Sequence, residues 1–142
     1  MTRLTTSDIY DIPSRLSLYD KNLQASTGRS ILGIAAHAKG VEEKKVIERV
    51  NSFSIHVVPV TAGQGVISDF SETVAEILKF LGFNALVADQ SDTSGLASAF
   101  EKKADAVMMA DDFRFVGINL HTNRVVDNSD ATGKCLLRHW IL

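Results

Sequence analysis

Apolar positions change their spacing along this chain, and each change marks a new kind of element. Between Thr5 and Gly28, the residues Ile9, Ile12, Leu16, Tyr19 and Leu23 recur every three or four positions. That spacing lays one apolar stripe along a helix packed on the domain's own core. Thr6 or Ser7 supplies a cap and Gly28 a stop, while Pro13 predicts a kink or a restart. Ile31 to Ala38 gives a second helical stretch, with Ile31, Ile34, Ala35 and Ala38 on one face and Gly40 behind it. The charged run Glu42-Glu43-Lys44-Lys45, with Glu48 and Arg49 close behind, fits no clean apolar face and reads as a solvated helix or linker.

From residue 54 the period shortens. Ile55, Val57, Val58 and Val60 form a β-branched run that stops at Thr61-Ala62-Gly63-Gln64-Gly65. Asp69-Phe70-Ser71-Glu72 has the form of a capping box, and Phe70, Val74, Ile77, Leu78 and Leu81 then repeat at helical spacing as far as Gly82. Strands are expected at Ala85–Ala88 and Ala106–Ala110. Between them Ser94–Lys103 reads as a helix with Leu96, Ala97, Phe100 and Ala104 inward. Phe113–Leu120 and Arg124–Asp127 flank His121-Thr122-Asn123, which predicts a terminal hairpin. The pattern predicts an α/β fold: a helical N-terminal segment, then a small parallel β-α-β-α-β Rossmann-like sheet with a C-terminal hairpin.

The bulk numbers narrow the class. With 142 residues, 45% of them apolar, and a net charge of -2, one folded domain is expected rather than a disordered chain. A pI near 6.0 carries no footprint for nucleic acid or anionic membrane. The apolar runs fall far short of the roughly 20 residues of a membrane span, so a soluble cytoplasmic domain is the expectation. One cysteine, Cys135, leaves no internal disulfide. His37, His56, His121 and His139 are scattered without ligand spacing, which places most of them at the surface and makes a metal site unexpected.

In an open parallel sheet, ligands gather beyond the carboxyl ends of the strands. The 61–65 loop, Asp89 and the Asp111-Asp112 pair fall there. Gly63-Gln64-Gly65-Val66-Ile67-Ser68 resembles a dinucleotide fingerprint, with Asp89 where a ribose-binding acid is expected. Two features oppose that reading. Ser68 replaces the third glycine, and Asp69 and Glu72 put carboxylates where a pyrophosphate needs the positive end of a helix. A plain structural turn and a nucleotide site both stay open on these grounds. Asp111-Asp112 suits an ammonium group, a metal or an ordinary turn.

Val58-Pro59-Val60-Thr61-Ala62-Gly63-Gln64-Gly65-Val66-Ile67-Ser68-Asp69-Phe70, Leu81-Gly82-Phe83, Asp92-Thr93-Ser94-Gly95 and Met109-Ala110-Asp111-Asp112 together resemble the N-terminal half of the pyrrolysine-biosynthesis dehydrogenases. Leu4-Thr5 and Thr27-Gly28 fit that family's start, and Glu42–Asn51 looks like an insertion relative to it. The resemblance implies a part in an NAD-dependent oxidation of lysine joined through its side chain to 3-methylornithine. Oxidation of the terminal amine and loss of water then close the pyrroline ring. It implies that this half holds the substrate while a second, Rossmann domain binds NAD, so the Gly63-Gln64-Gly65 loop belongs to a substrate pocket.

Carried over by position, the substrate contacts fall on Leu4, Val60, Ala62, Ile67, Phe70 and Asp111. Apolar walls suit the methylene chains and a carboxylate suits an ammonium. Core packing is the alternative for Ile67 and Phe70, and Ala62 stands where serine is usual. The resemblance implies a substrate-binding domain over residues 1–134, helical over 1–53 and α/β over 54–128. Residues 135–142 form an irregular tail where the cofactor domain would begin. No catalytic residue, and no NAD site of its own, is expected in this chain. The tail, with Arg138-His139 among apolar residues, suggests a truncated or frameshifted gene. One codon choice read one base back gives Met-Leu-Val-Ala-Ala-Leu-Asp-Phe, a better helix. An exposed apolar face is expected where the second domain would pack. The other functional class is a non-catalytic α/β module binding a small molecule or a nucleotide.

Overall fold

The computed structural model describes residues 5–63 and 69–132. Four helices come first: α1 (Thr6–Ile9), α2 (Ile12–Thr27), α3 (Ile31–Lys39) and α4 (Glu43–Val50). Thr5 is the N-cap of α1, one residue ahead of the expected cap, and its amide donates to Asp8 Oδ2 at 2.7 Å. Pro13 restarts the helix: it sits in the first turn of α2, where its missing N–H costs nothing. Gly28 and Gly40 end α2 and α3 in the left-handed conformation, at φ of 75° and 68°. Ile9 and Leu16 of the first stripe are buried and Leu23 is half-buried, but Tyr19 is 58% exposed.

The helical pair α3 and α4 corrects the sequence reading in one place and narrows it in another. Gly33 and Ala36 form the buried face of α3, and Ala35 points outward. The space at Gly33 is taken by Glu43, whose carboxylate would lie 2.6 Å from an added Cβ and accepts a hydrogen bond from Ser30 Oγ. The charged run is a helix rather than a linker, anchored by the buried Val50.

The sheet comes next: β1 (Ser54–Val57), α5 (Phe70–Phe80), β2 (Asn84–Val87), α6 (Asp92–Glu101), β3 (Ala106–Ala110), β4 (Phe115–Asn119) and β5 (Arg124–Asp127). Its order is β2-β1-β3-β4-β5. β1 runs parallel to both β2 and β3, and β4 and β5 return antiparallel, so the fold is α/β with a mixed sheet. Tight turns at 111–114 and 120–123 force that reversal, because a parallel return needs a longer crossover. β4 and β5 form the expected terminal hairpin. Beyond β1, the Val58 amide still donates to the Met108 carbonyl at 2.9 Å, which extends the join with β3 toward the 61–63 loop.

Alternation along β1 divides the core between two faces. Ile55 and Val57 meet Val74, Ala75 and Leu78 of α5, with Phe70 and Phe115 packed against them. Val58 meets Ala99, Ala104 and the fully buried Val107 on the α6 side. The α6 face is the expected one only in part: Leu96 packs on this cluster and Ala104 is buried in it. Gly95 and Ala99 are its buried residues, whereas Ala97 is exposed and Phe100 is 58% exposed. The helix approaches so closely that a Cβ on Gly95 would collide with the Gln90 carbonyl oxygen and lie 2.6 Å from Val58 Cγ1. Small residues therefore define the contact, and the large Phe100 turns out to solvent.

Candidate functional site

Parallel β1 and β3 end side by side, so the segments that leave the two strands meet at one end of the sheet. Val60 and Ala62 lie just beyond β1, Asp111 lies just beyond β3, and Phe70 opens α5, which returns from that same end. Phe70 is half-buried and packs edge-on against Phe115 at 5.5 Å between ring centroids. Phe115 pairs in register with Ala110, the residue before Asp111. Phe70 thus belongs to the core and stands beside the strand end at once. Ala62 and Asp111 are exposed and Val60 is half-buried. Leu4 and Ile67 lie outside the described residues, as does the tail from 133 onward.

The β3–β4 turn is built around the Asp111 carboxylate. Its Oδ1 accepts from the Phe113 amide at 2.8 Å and the Arg114 amide at 2.7 Å, and the Asp111 amide donates to the Arg114 carbonyl at 2.9 Å. Those bonds, the Arg114 amide first, hold the Asp111 carboxyl below its ordinary range. The group is therefore an anion at neutral pH, and Oδ2 takes part in neither bond. Arg114 Nε donates to Asp127 Oδ2 at 2.9 Å, which pins the turn to β5. At the tip, Phe113 is 85% exposed.

Two contacts that no local pattern announced fix the 61–63 loop. The Thr61 amide donates to Asp92 Oδ1 at 2.8 Å, and its hydroxyl donates to Asp92 Oδ2 at 2.5 Å. Gly63, at φ 77°, lies against the other loop: an added Cβ would collide with Asp112 Oδ2. The only sequence signals were a lone aspartate at a helix start and a glycine in a turn.

The dinucleotide reading of this loop finds little support in the chemistry present. A carboxylate closes over Gly63, and Asp89 pairs with Lys102 at 3.1 Å. Asp69 does not cap α5 with its side chain; it sits in the left-handed conformation at φ 64° and leaves the expected capping box unformed. Even so, Asp69 and Glu72 keep two carboxylates at the start of the helix. These residues do not fit a pyrophosphate.

Burial sets one histidine apart. His56, in the middle of β1, is 5% exposed, and its Nδ1 has no hydrogen-bond partner among the described residues. Burial first, then the Lys102 charge, holds its pKa below the ordinary histidine value, so the ring is neutral. His121 is exposed and bonds Asp105 Oδ1 through Nε2 at 2.6 Å. Among the described residues no group of three or more His, Cys, Asp or Glu side chains is arranged to hold a metal ion, and no helix is long and apolar enough to cross a membrane.

Two of the apolar grooves that indent the surface of the described residues bear on the site by their placement. One of about 610 Å³, between α4 and Phe53 and Phe83, lies at the amino ends of the strands, away from Asp111. The other, about 190 Å³ and lined by Met108, Phe115, Gly117 and Val126, opens beside the ring that Phe70 packs against. The smaller groove lies nearer the chemistry.

Fold and site together define an open α/β sheet domain whose polar loops converge at the carboxyl ends of β1 and β3. Residues 8–126 match the family described as the N-terminal domain of the pyrrolysine biosynthesis protein PylD, and the chain belongs to that family. It is 33% identical over 133 residues to a protein named pyrrolysine synthase from Methanosarcina barkeri, covering 94% of this chain and 48% of that protein. A pyrrolysine synthase from Methanosarcina acetivorans is 32% identical over 133 residues, with coverage of 94% and 49%. The chain thus spans about half the length of the curated relatives it matches.

Proposed function

We propose that this chain serves pyrrolysine biosynthesis as a substrate-holding domain for the lysine–3-methylornithine conjugate. The observation that carries this reading is the Asp111 carboxylate, kept ionised by two backbone amides just beyond β3, at the end of the sheet where Val60 and Phe70 also lie. An elongated conjugate with amines along apolar chains calls for an anion beside aliphatic and aromatic walls. Asp111 Oδ2 is the atom assigned to an ammonium. Val60, Ala62 and Phe70 are assigned to the methylenes, with Leu4 and Ile67 as further contacts by family position.

Oxidation of the terminal amine needs a hydride acceptor. Because the residues around Gly63 do not suit a dinucleotide, we assign NAD to the part of the family's length that this chain does not span. No catalytic group is assigned to the described residues. Calorimetric titration of the synthetic conjugate into wild type and Asp111→Asn tests the reading. The expected result is binding to wild type and a loss of roughly tenfold or more in the variant, the scale of one charge-assisted hydrogen bond. Equal affinity of the two proteins rules out the Asp111 assignment, and binding of NAD in place of the conjugate rules out the whole reading.

A further inference from the structure

We infer that Asp92 is a positioning residue for the substrate loop, an inference that rests on the reading of the Val60–Asp111 end as the substrate site. Asp92 opens α6 at φ 52° and joins the strand extension at three points. Its two carboxylate oxygens take the amide and the hydroxyl of Thr61, at 2.8 and 2.5 Å, and its own amide donates to the Pro59 carbonyl at 2.8 Å. The backbone is thereby held on both sides of Val60. On the far side of Ala62, Gly63 sits at φ 77° against the Asp112 carboxylate, so an added Cβ would be strained by the backbone and would have to push that carboxylate aside. Ala62 is bracketed between two carboxylates that belong to other elements, and its placement is set by theirs.

The reach of Asp92 depends on the close seat of α6. Gly95, one turn into the helix, lets α6 settle on Val58 and the Gln90 carbonyl. A helix held off by a side chain there would carry Asp92 away from Thr61. The chemistry also demands a carboxylate. Thr61 presents two donors, N–H and O–H, and two anionic oxygens accept both. An amide offers one acceptor and turns an NH2 toward a donor. The same two bonds keep the Asp92 carboxyl below its ordinary range, so the clamp is ionised at neutral pH.

The test compares wild type with Asp92→Asn, Thr61→Val and Thr61→Ser, each titrated with the lysine–methylornithine conjugate and each melted without ligand. Asp92→Asn and Thr61→Val are expected to lose about tenfold in affinity, as for one charge-assisted hydrogen bond. Thr61→Ser, which keeps both donors, is expected to bind and melt like wild type, while Asp92→Asn and Thr61→Val melt lower but remain folded at the titration temperature. The double variant Asp92→Asn, Thr61→Val should be no weaker than its weaker parent, because both changes remove one interaction. If wild type binds and Asp92→Asn binds equally well, the clamp is refuted while the substrate site stands. A variant that loses affinity only because it is no longer folded at the titration temperature, with serine failing to rescue it, refutes positioning in favour of plain stability. A wild type that ignores the conjugate refutes the site reading, and the clamp with it.

Discussion

On the α5 side of the sheet, Val74 and Leu78 fill the space over Ile55 and Val57, and the rings of Phe53, Phe70, Phe83 and Phe115 close the margins. On the α6 side, Gly95 and Ala99 press against Val58 and Val107, and the one large aromatic of that helix faces water. The first face is held by bulk and the second by closeness. Both matter to the same end of the molecule. Bulk on the α5 side places Phe70 against Phe115 beside Asp111, and closeness on the α6 side brings Asp92 within reach of Thr61. The difference teaches that a face poor in large residues is not a weak face when its job is to set a distance.

The comparison can be broken most visibly on the bulky face. Leu78→Ala removes a buried side chain from the α5 packing and is expected to cost about 3 kcal/mol, transfer and cavity terms together. Urea unfolding monitored by circular dichroism measures it. A loss below about 1 kcal/mol would mean that α5 holds by something other than volume.

On the close face the sign reverses, since adding an atom should do the damage. Gly95→Ala gains helix propensity of about 1 kcal/mol. The new methyl nevertheless meets a backbone carbonyl that can retreat only by moving the chain. Overpacking of that kind costs up to about 3 kcal/mol, so a net loss near 2 is expected in the same unfolding assay. A stabilised Gly95→Ala would show that α6 has room to spare, and closeness would lose its meaning.

The smallest effect lies between the faces, at the amino ends of the strands. Asp105 Oδ2 accepts from the Ser54 amide at 2.7 Å and the Ser54 hydroxyl at 3.1 Å, and Oδ1 meets His121. These bonds, the Ser54 amide first, lower the Asp105 pKa in the folded protein. Its contribution is therefore present above the unfolded value of about 3.9 and is lost as pH falls through the lower folded value. Asp105→Asn is expected to cost about 1 kcal/mol at pH 7 and progressively less below about pH 4. Melting curves of both proteins from about pH 7 to about pH 2.5 should converge on the acid side. Parallel curves would remove Asp105 from the acid response.

Much of the fold was legible because it is local. Gly28 and Gly40 stop helices where the chain must turn left-handed, Pro13 restarts one, and the β-branched run after residue 53 becomes an inner strand of the sheet. The candidate site was legible in part. The turn chemistry of Asp111 and the loop at 61–63 could be located, since both come directly after predicted strands. What failed was orientation. Phe100, Ala97 and Tyr19 sat at positions that periodicity turns inward, yet they face water, because the period fixes which residues share a face and not how near that face comes to its neighbour. The Asp69 capping box failed for a related reason: the residue adopts a left-handed backbone on leaving the loop, and its side chain makes no capping bond.

By itself the sequence determined the order of helices and strands, their stops and the α/β class, because these depend on hydrophobic period and on the backbone limits of glycine and proline over a few residues. Only the tertiary structure decided which carboxylate serves which loop. Thr61 meets Asp92 across 31 positions, Ser54 meets Asp105 across 51, and Gly63 lies against Asp112. A carboxylate accepts any N–H or O–H that the packed strands and helices bring within reach. That choice is made by the distance at which α6 and the β3–β4 turn settle on the sheet, and no spacing along the chain encodes it.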